Sequence, residues 1–171
     1  HGRAVRMFES IVDGFPEYGS TDGALYMLGF IFQRDETLQA DDAMGRDAYL
    51  ALVDRYPESE FAAASHMALG EYYFDNHQID EAIRNYEMVV KLHAPDGQHY
   101  EKGLYKLAWS HYKFSSYDLA LDLLAKLLDW SEENFLRTGK RSAMAPEAIE
   151  YTSISFSDIS DKTGVDPVEV A

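Results

Sequence analysis

Cysteine is absent from the 171 residues, which excludes disulfides, thiol catalysis and cysteine-based metal sites. Basic residues are scarce: 15 Lys and Arg stand against 30 Asp and Glu, a formal charge of −15. A nucleic-acid surface needs clustered cations to neutralise phosphate, so no nucleic acid is expected as a partner. An anionic membrane surface is disfavoured on the same ground. The acidic balance fits a solvated exterior, or a partner segment that is basic. No apolar run approaches the roughly 20 residues of a membrane-spanning helix, so direct membrane insertion is not expected. The first residues, His1-Gly2-Arg3-Ala4-Val5, are neither an initiator Met nor a signal peptide, and the chain reads as a piece of a longer protein.

Signatures of chemistry are missing as well. There is no HExxH, no GxSxG elbow, no phosphate-cradling glycine loop and no dinucleotide fingerprint. The six histidines are scattered: His93 and His99 flank Pro95-Asp96-Gly97, and His77 sits in a turn-like stretch. The acidic pairs Asp35-Glu36 and Asp41-Asp42 lack the order of a calcium loop. Glu132 and Glu133, adjacent on a helix, point to different faces and do not make a catalytic pair. The expectation is no catalytic residue, no metal, no cofactor and no enzyme.

What is present is helix pairing. The stretch His66 to Ala94 combines Leu69-Gly70 and Tyr73 with Ala82, Tyr86 and Val89 on either side of the polar turn Asp75-Asn76-His77-Gln78. Those spacings place apolar residues on one helical face each, and Gly70 and Ala82 are small enough for two antiparallel helices to touch there. Asp80 suits a helix start. The pattern recurs on both sides. Leu28-Gly29 and Phe32 repeat it upstream, and Leu107-Ala108 repeats it downstream, followed by Ala120, Leu124 and Leu127. Ala4, Phe8 and Ile11 repeat the second half alone, closed by Phe15-Pro16, as Tyr56-Pro57 closes another unit. Gly29 and Tyr49 stand further apart in the chain than Gly70 and Tyr86, so the intervening helix is longer by a turn or its connection is. Glu132 to Met144, with Arg137, Lys140 and Arg141 around Gly139, reads as a basic loop, and Pro146 to Ile159 as another first helix with Ile149, Ser153 and Phe156 on the seam.

The resulting expectation is an all-α, right-handed superhelical array of antiparallel helix pairs, with seven or eight helices in a single domain over 1–171. It comprises a half-repeat at 3–18, repeats at 21–57, 61–95 and 99–131, and a partial repeat at 145–161. HEAT repeats share the long period and are the structural rival. Half-units leave Met7, Phe8, Ile149 and Phe156 uncovered, and end-to-end self-association is expected.

Leu-Gly-x-x-Tyr followed by Ala-x-x-x-Tyr-x-x-Val resembles the tetratricopeptide repeat, whose usual period is about 34 residues. The Phe-Pro and Tyr-Pro endings and the run Gly103 to Ser110 are similar to tetratricopeptide proteins of Gram-negative cell envelopes, such as lipoproteins of outer-membrane assembly and coordinators associated with the Tol-Pal system. Glu147 to Tyr151, continuing through Ile154-Ser155-Phe156, is similar to large deltaproteobacterial repeat proteins, some linked to gliding motility. The resemblance implies a non-catalytic scaffold that binds another protein or peptide segment, located in the bacterial envelope on the periplasmic side, with a cytoplasmic location as the alternative. A structural spacer without its own ligand is the competing function. In such arrays the first helix of each pair lines a concave groove. That rule selects Tyr26, Phe30 and Gln33, then Met67, Glu71 and Phe74, then Tyr105, Trp109 and Tyr112, with Glu71, Asp75, Lys102 and Lys113 as orienting charges.

Overall fold

The computed structural model describes residues 2–34, 42–92 and 99–163. Eight α-helices and no strand occur among the described residues: α1 (Gly2–Gly14), α2 (Thr21–Arg34), α3 (Asp42–Arg55), α4 (Ala62–Asp75), α5 (Ile79–Leu92), α6 (Tyr100–Lys113), α7 (Tyr117–Thr138) and α8 (Ala145–Thr163). The fold is all-α, an array of helix pairs of the α-solenoid kind. The chain divides into two compact units, residues 1–78 and 79–171.

In the first unit each helix packs on the next, α1 on α2, α2 on α3 and α3 on α4. The α2–α3 seam shows why glycine stands where it does. A Cβ on Gly29 would lie 2.6 Å from the ring of Tyr49, and a Cβ on Gly45 would lie 3.1 Å from the carbonyl of Gly29. Tyr49 is thereby buried on a glycine surface, beside a core of Leu25, Leu52 and Ala62. Both helices have fourteen residues, so the extra length between Gly29 and Tyr49 belongs to the connection 35–41, which itself lies outside the described residues.

The aromatic-proline endings fold alike. Phe15, Tyr18 and Thr21 donate their N–H groups to Ile11, Phe15 and Tyr18, and Tyr56, Ser59 and Ala62 repeat that set at the end of α3. Tyr56 goes further and donates its hydroxyl to the carbonyl of Pro16 at 2.7 Å, tying one ending to the other.

In the second unit α5, α6, α7 and α8 again pack in sequence. Leu104, Ala108, Leu124, Leu127 and Ala148 form its core. Gly103 makes a close approach that spacing alone does not single out: its Cβ would meet Val89 at 2.9 Å. Gly70 and Ala108, expected at buried crossings, are both buried.

Two expectations are corrected here, the loop at 132–138 and the seam placing of Ile149 and Ser153. Residues 132–138 are not loop. Nothing in Glu132-Glu133-Asn134-Phe135-Leu136-Arg137-Thr138 breaks a helix, and α7 runs on to Gly139, whose φ of 73° ends it in the left-handed region that glycine adopts freely. The basic residues Arg137, Lys140 and Arg141 are exposed, and Arg141 pairs with Glu132 at 3.1 Å on the surface and lies over the Phe135 ring. The start of α8 is fastened to α6 by Glu101, which accepts from the Ser142 hydroxyl at 2.5 Å and the Met144 N–H at 3.1 Å. Among the described side chains of α8, Ala148 and Ser155 are buried, while Ile149 and Ser153 are exposed.

Candidate partner-binding surfaces

The first helices share one register, set by an N–H to carbonyl bond at each start: Ala24 to Ser20, Ser65 to Phe61, Gly103 to His99 and Ala148 to Met144. Residues two, six and ten positions past those donors fall on a single helical face. On α2 they are Tyr26, Phe30 and Arg34; on α6 they are Tyr105, Trp109 and Lys113.

In the first unit Tyr26 is half-buried, stacked on Phe61 at 5.0 Å between ring centroids and tilted against Tyr49 at 5.9 Å. Phe30 keeps 36% of its surface exposed, and the Arg34 guanidinium lies 4.6 Å from its ring centroid. Gln33 is exposed and accepts a long 3.5 Å bond from the Tyr49 hydroxyl, whose acidity burial suppresses. On α4, Glu71 and Phe74 are half-buried. Met67 does not face a groove: at 5% exposure it is core. It follows Ala63 by four residues and precedes Gly70 by three, so it shares the packed stripe of α4 rather than the open one.

In the second unit the aromatics form one cluster. Trp109 stacks on Tyr112 at 5.4 Å, meets Tyr151 of α8 at 4.5 Å, and carries the Lys113 ammonium 4.5 Å from its ring. Tyr105 and Tyr112 also contact Tyr151, at 6.4 and 5.9 Å. The Tyr112 hydroxyl donates to Asp158 at 2.8 Å, and this bond raises its pKa. Burial, aided by a hydrogen bond to Glu147, pushes the Tyr105 phenol up as well. Lys102 and Lys113 are exposed. Tyr151, Asp158 and Glu147 are not among the residues that the sequence pattern selects, although α8 taken as one more first helix in this register places all three beside α6.

Elsewhere in the first unit, the two aromatic-proline endings enclose an open depression of about 440 Å³ lined by residues that include Pro16, Tyr18, Arg55, Tyr56 and Pro57. Among the described residues no helix is long and apolar enough to cross a membrane. No three His, Asp or Glu side chains among them could together hold a metal ion.

Residues 23–59 and 102–129 match the tetratricopeptide repeat family, which covers α2 with α3 and most of α6 with the first half of α7. No curated protein matches the chain. Among solved structures, the crystal structure of MamA is similar over 94% of this chain and 90% of that one, with a TM-score of 0.59 and 15% identity. At that identity the likeness speaks for the fold alone.

Proposed function

We propose that this chain, a tetratricopeptide-repeat protein, is a protein–protein interaction scaffold whose first-helix faces hold a peptide or domain of a partner in a bacterial envelope assembly. The observation that carries this reading is the stripe Tyr26–Phe30–Arg34, repeated as Tyr105–Trp109–Lys113. Its residues are not the small and aliphatic ones that close the repeat seams, and a cation is held over an aromatic ring in both. Rigid aromatic area with a few fixed charges is what peptide recognition uses. Tetratricopeptide repeats serve widely as interaction modules and lack catalytic machinery, and nothing in the composition of these faces favours catalysis.

The spacer reading has one observation in its favour: Trp109 is already enclosed by Tyr112, Tyr151 and Lys113. Photo-crosslinking in the native cell separates the two. A photoreactive residue replacing Phe30 or Ile154 should join the protein to another polypeptide. The same residue at Leu136 or Phe114, exposed but off the stripe, serves as the control. Equal yields at all four positions would favour the spacer. Fractionation of the same cells tests the envelope location, and recovery of the full-length protein in the cytosol overturns it.

A further inference from the structure

We propose that copies of this chain join head to tail, with α8 of one copy taking α1 of the next as the second helix that completes its repeat. The contact does not depend on the scaffold reading.

Shared hydrogen bonds fix the register at both helices. The aromatic-proline endings align α1 with α3, so Ala4, Phe8 and Ile11 stand where Gly45, Tyr49 and Leu52 do. Those residues of α3 are all buried, as are Ala120, Leu124 and Leu127 of α7. Ala4, Phe8 and Ile11 all stay partly exposed, although α1 packs on α2. The starts of the first helices align α8 with α2 and α6 in the same way. Ile149 is 57% exposed where Leu25 and Leu104 are 3% and 1%. Ser153 is exposed where Gly29 and Ala108 are buried. In each complete pair this is the face that the second helix covers: Tyr49 lies against Gly29, and Leu124 shares a core with Ala108. So α8 presents one open half of a seam and α1 the other.

The two halves match. A helix that completes α8 needs a small, a large apolar and an aliphatic residue at i, i+4 and i+7, on one face. Among the described second helices only α1 leaves such a set uncovered. Charge agrees with the fit. In the antiparallel α2–α3 pair, a Cβ on Gly45 would lie 3.4 Å from the Gln33 nitrogen. The equivalent crossing falls at Ser157 and Ala4, and the next residues outward are Asp158 on α8 and Arg3 on α1, of opposite sign. Unlike charges at one level favour this direction of approach. Ser153 is larger than Gly29, so the helices stand slightly further apart than α2 and α3, which a contact between separate chains permits. Because the two faces differ, the contact is heterologous, and each added copy presents a fresh end.

Analytical ultracentrifugation of the 171-residue chain tests this. The weight-average mass should rise with concentration, to about twice that of one chain or more by ~1 mM. Ala4→Glu and Ser153→Glu each close one end and should leave single chains. Mixed in equal amounts they restore one sound contact, since the Ala4 variant keeps its α8 and the Ser153 variant its α1. The mass should then stop at two chains. Arg3→Glu mixed with Ile149→Glu repeats the test at two exposed positions that the fold does not need, and this mixture should again exceed either variant alone. Circular dichroism checks that all four variants keep their helix content. A wild-type mass that stays at one chain throughout overturns the inference. So do mixtures that gain nothing over their components, or an Ala4→Glu or Ser153→Glu variant that associates as the wild type does.

Discussion

Phe30 and Trp109 occupy the same register position in the two units and meet different fates. Each has a cation over its ring, yet Phe30 keeps an open flank while Trp109 is enclosed by Tyr112 and Tyr151. The difference lies in the neighbours. Where α6 has Tyr112, α2 has Gln33; where α8 has Tyr151, α4 has Ala68. The same stripe is thus an open surface in one unit and a partly closed one in the other, and what closes it comes from residues outside the stripe.

Truncation of the two rings should expose that contrast most strongly. A fully buried aromatic loses about 3–5 kcal/mol on truncation to Ala; Trp109, partly exposed but in contact with α8, should lose about 2–3 kcal/mol. Phe30→Ala should lose about 1 kcal/mol or less, because only one cation–ring contact and partial burial go with it. Urea unfolding of both variants measures this. Equal losses would show that Tyr151 does not support Trp109. A consequence is that Trp109→Ala confounds folding with binding, and Phe30 is the cleaner probe of partner capture.

The seams differ in the opposite sense, with the tighter fit in the first unit. Gly29 lies against Tyr49, and its equivalent Ala108 shares a core with Leu124, the equivalent of Tyr49. Glycine under a ring and alanine under a leucine are two solutions to one volume. Gly29→Ala should therefore overpack and cost about 1–3 kcal/mol, although alanine is the better helix former. Adding Tyr49→Leu should recover most of that loss by copying the second unit. If Gly29→Ala stabilises the protein on its own, the Tyr49 ring has room to withdraw and the close fit is not a constraint.

Those seams are the part of the fold most open to reading from sequence, because small residues and aromatics at fixed offsets have few other uses. Leu28-Gly29, Leu69-Gly70 and Leu107-Ala108 lead directly to the buried crossings. Gly45 and Gly103 do the same work but lack a flanking leucine in the repeated order, and they emerge only when the helices are side by side. The end of α7 is hidden because the charges of Glu132 to Arg141 resemble a loop, whereas the chain stops being helical only where Gly139 lets it turn. Of the candidate surface, Tyr26, Phe30 and Trp109 follow from spacing. Met67 does not, since its helix buries Ala63, Met67 and Gly70 as one stripe. Tyr151 and Asp158 come from a helix one whole repeat further along, and side-chain contact over that separation has no local signal.

A smaller contrast concerns the clip between Tyr112 and Asp158. The equivalent of Tyr112 in the first unit is Gln33, which makes no such bond to α4 among the described contacts. Hydrogen bonding to the carboxylate raises the Tyr112 pKa, so the folded state holds that proton more tightly than the unfolded one. The contribution is fully present below the unfolded tyrosine value of about 10 and is lost as pH rises through the raised folded value. Tyr112→Phe should cost about 1 kcal/mol or less at pH 7, the bond being only partly buried. It should also flatten part of the alkaline loss of stability. Gln33→Ala, by comparison, should leave the alkaline limb unchanged.

The smallest expected effect tests whether the units are equivalent where they turn. Asn76, His77 and Gln78 donate to Tyr72, Phe74 and Tyr73, and Phe114, Ser115 and Ser116 donate to Ser110, Tyr112 and His111 in the same arrangement one repeat later. The central residue has φ of 62° in both turns, yet neither is glycine. A left-handed conformation costs an L-residue roughly 1–2 kcal/mol. Glycine removes that strain but gives the unfolded chain more freedom, which takes back about 0.5–1 kcal/mol. His77→Gly and Ser115→Gly should each therefore stabilise the protein, by about 0.5 kcal/mol. Because the two backbones and their hydrogen bonds match, the gains should agree within error in urea titrations. A gain at Ser115 with a loss at His77 would mean that the histidine side chain contributes something the shared turn geometry does not require.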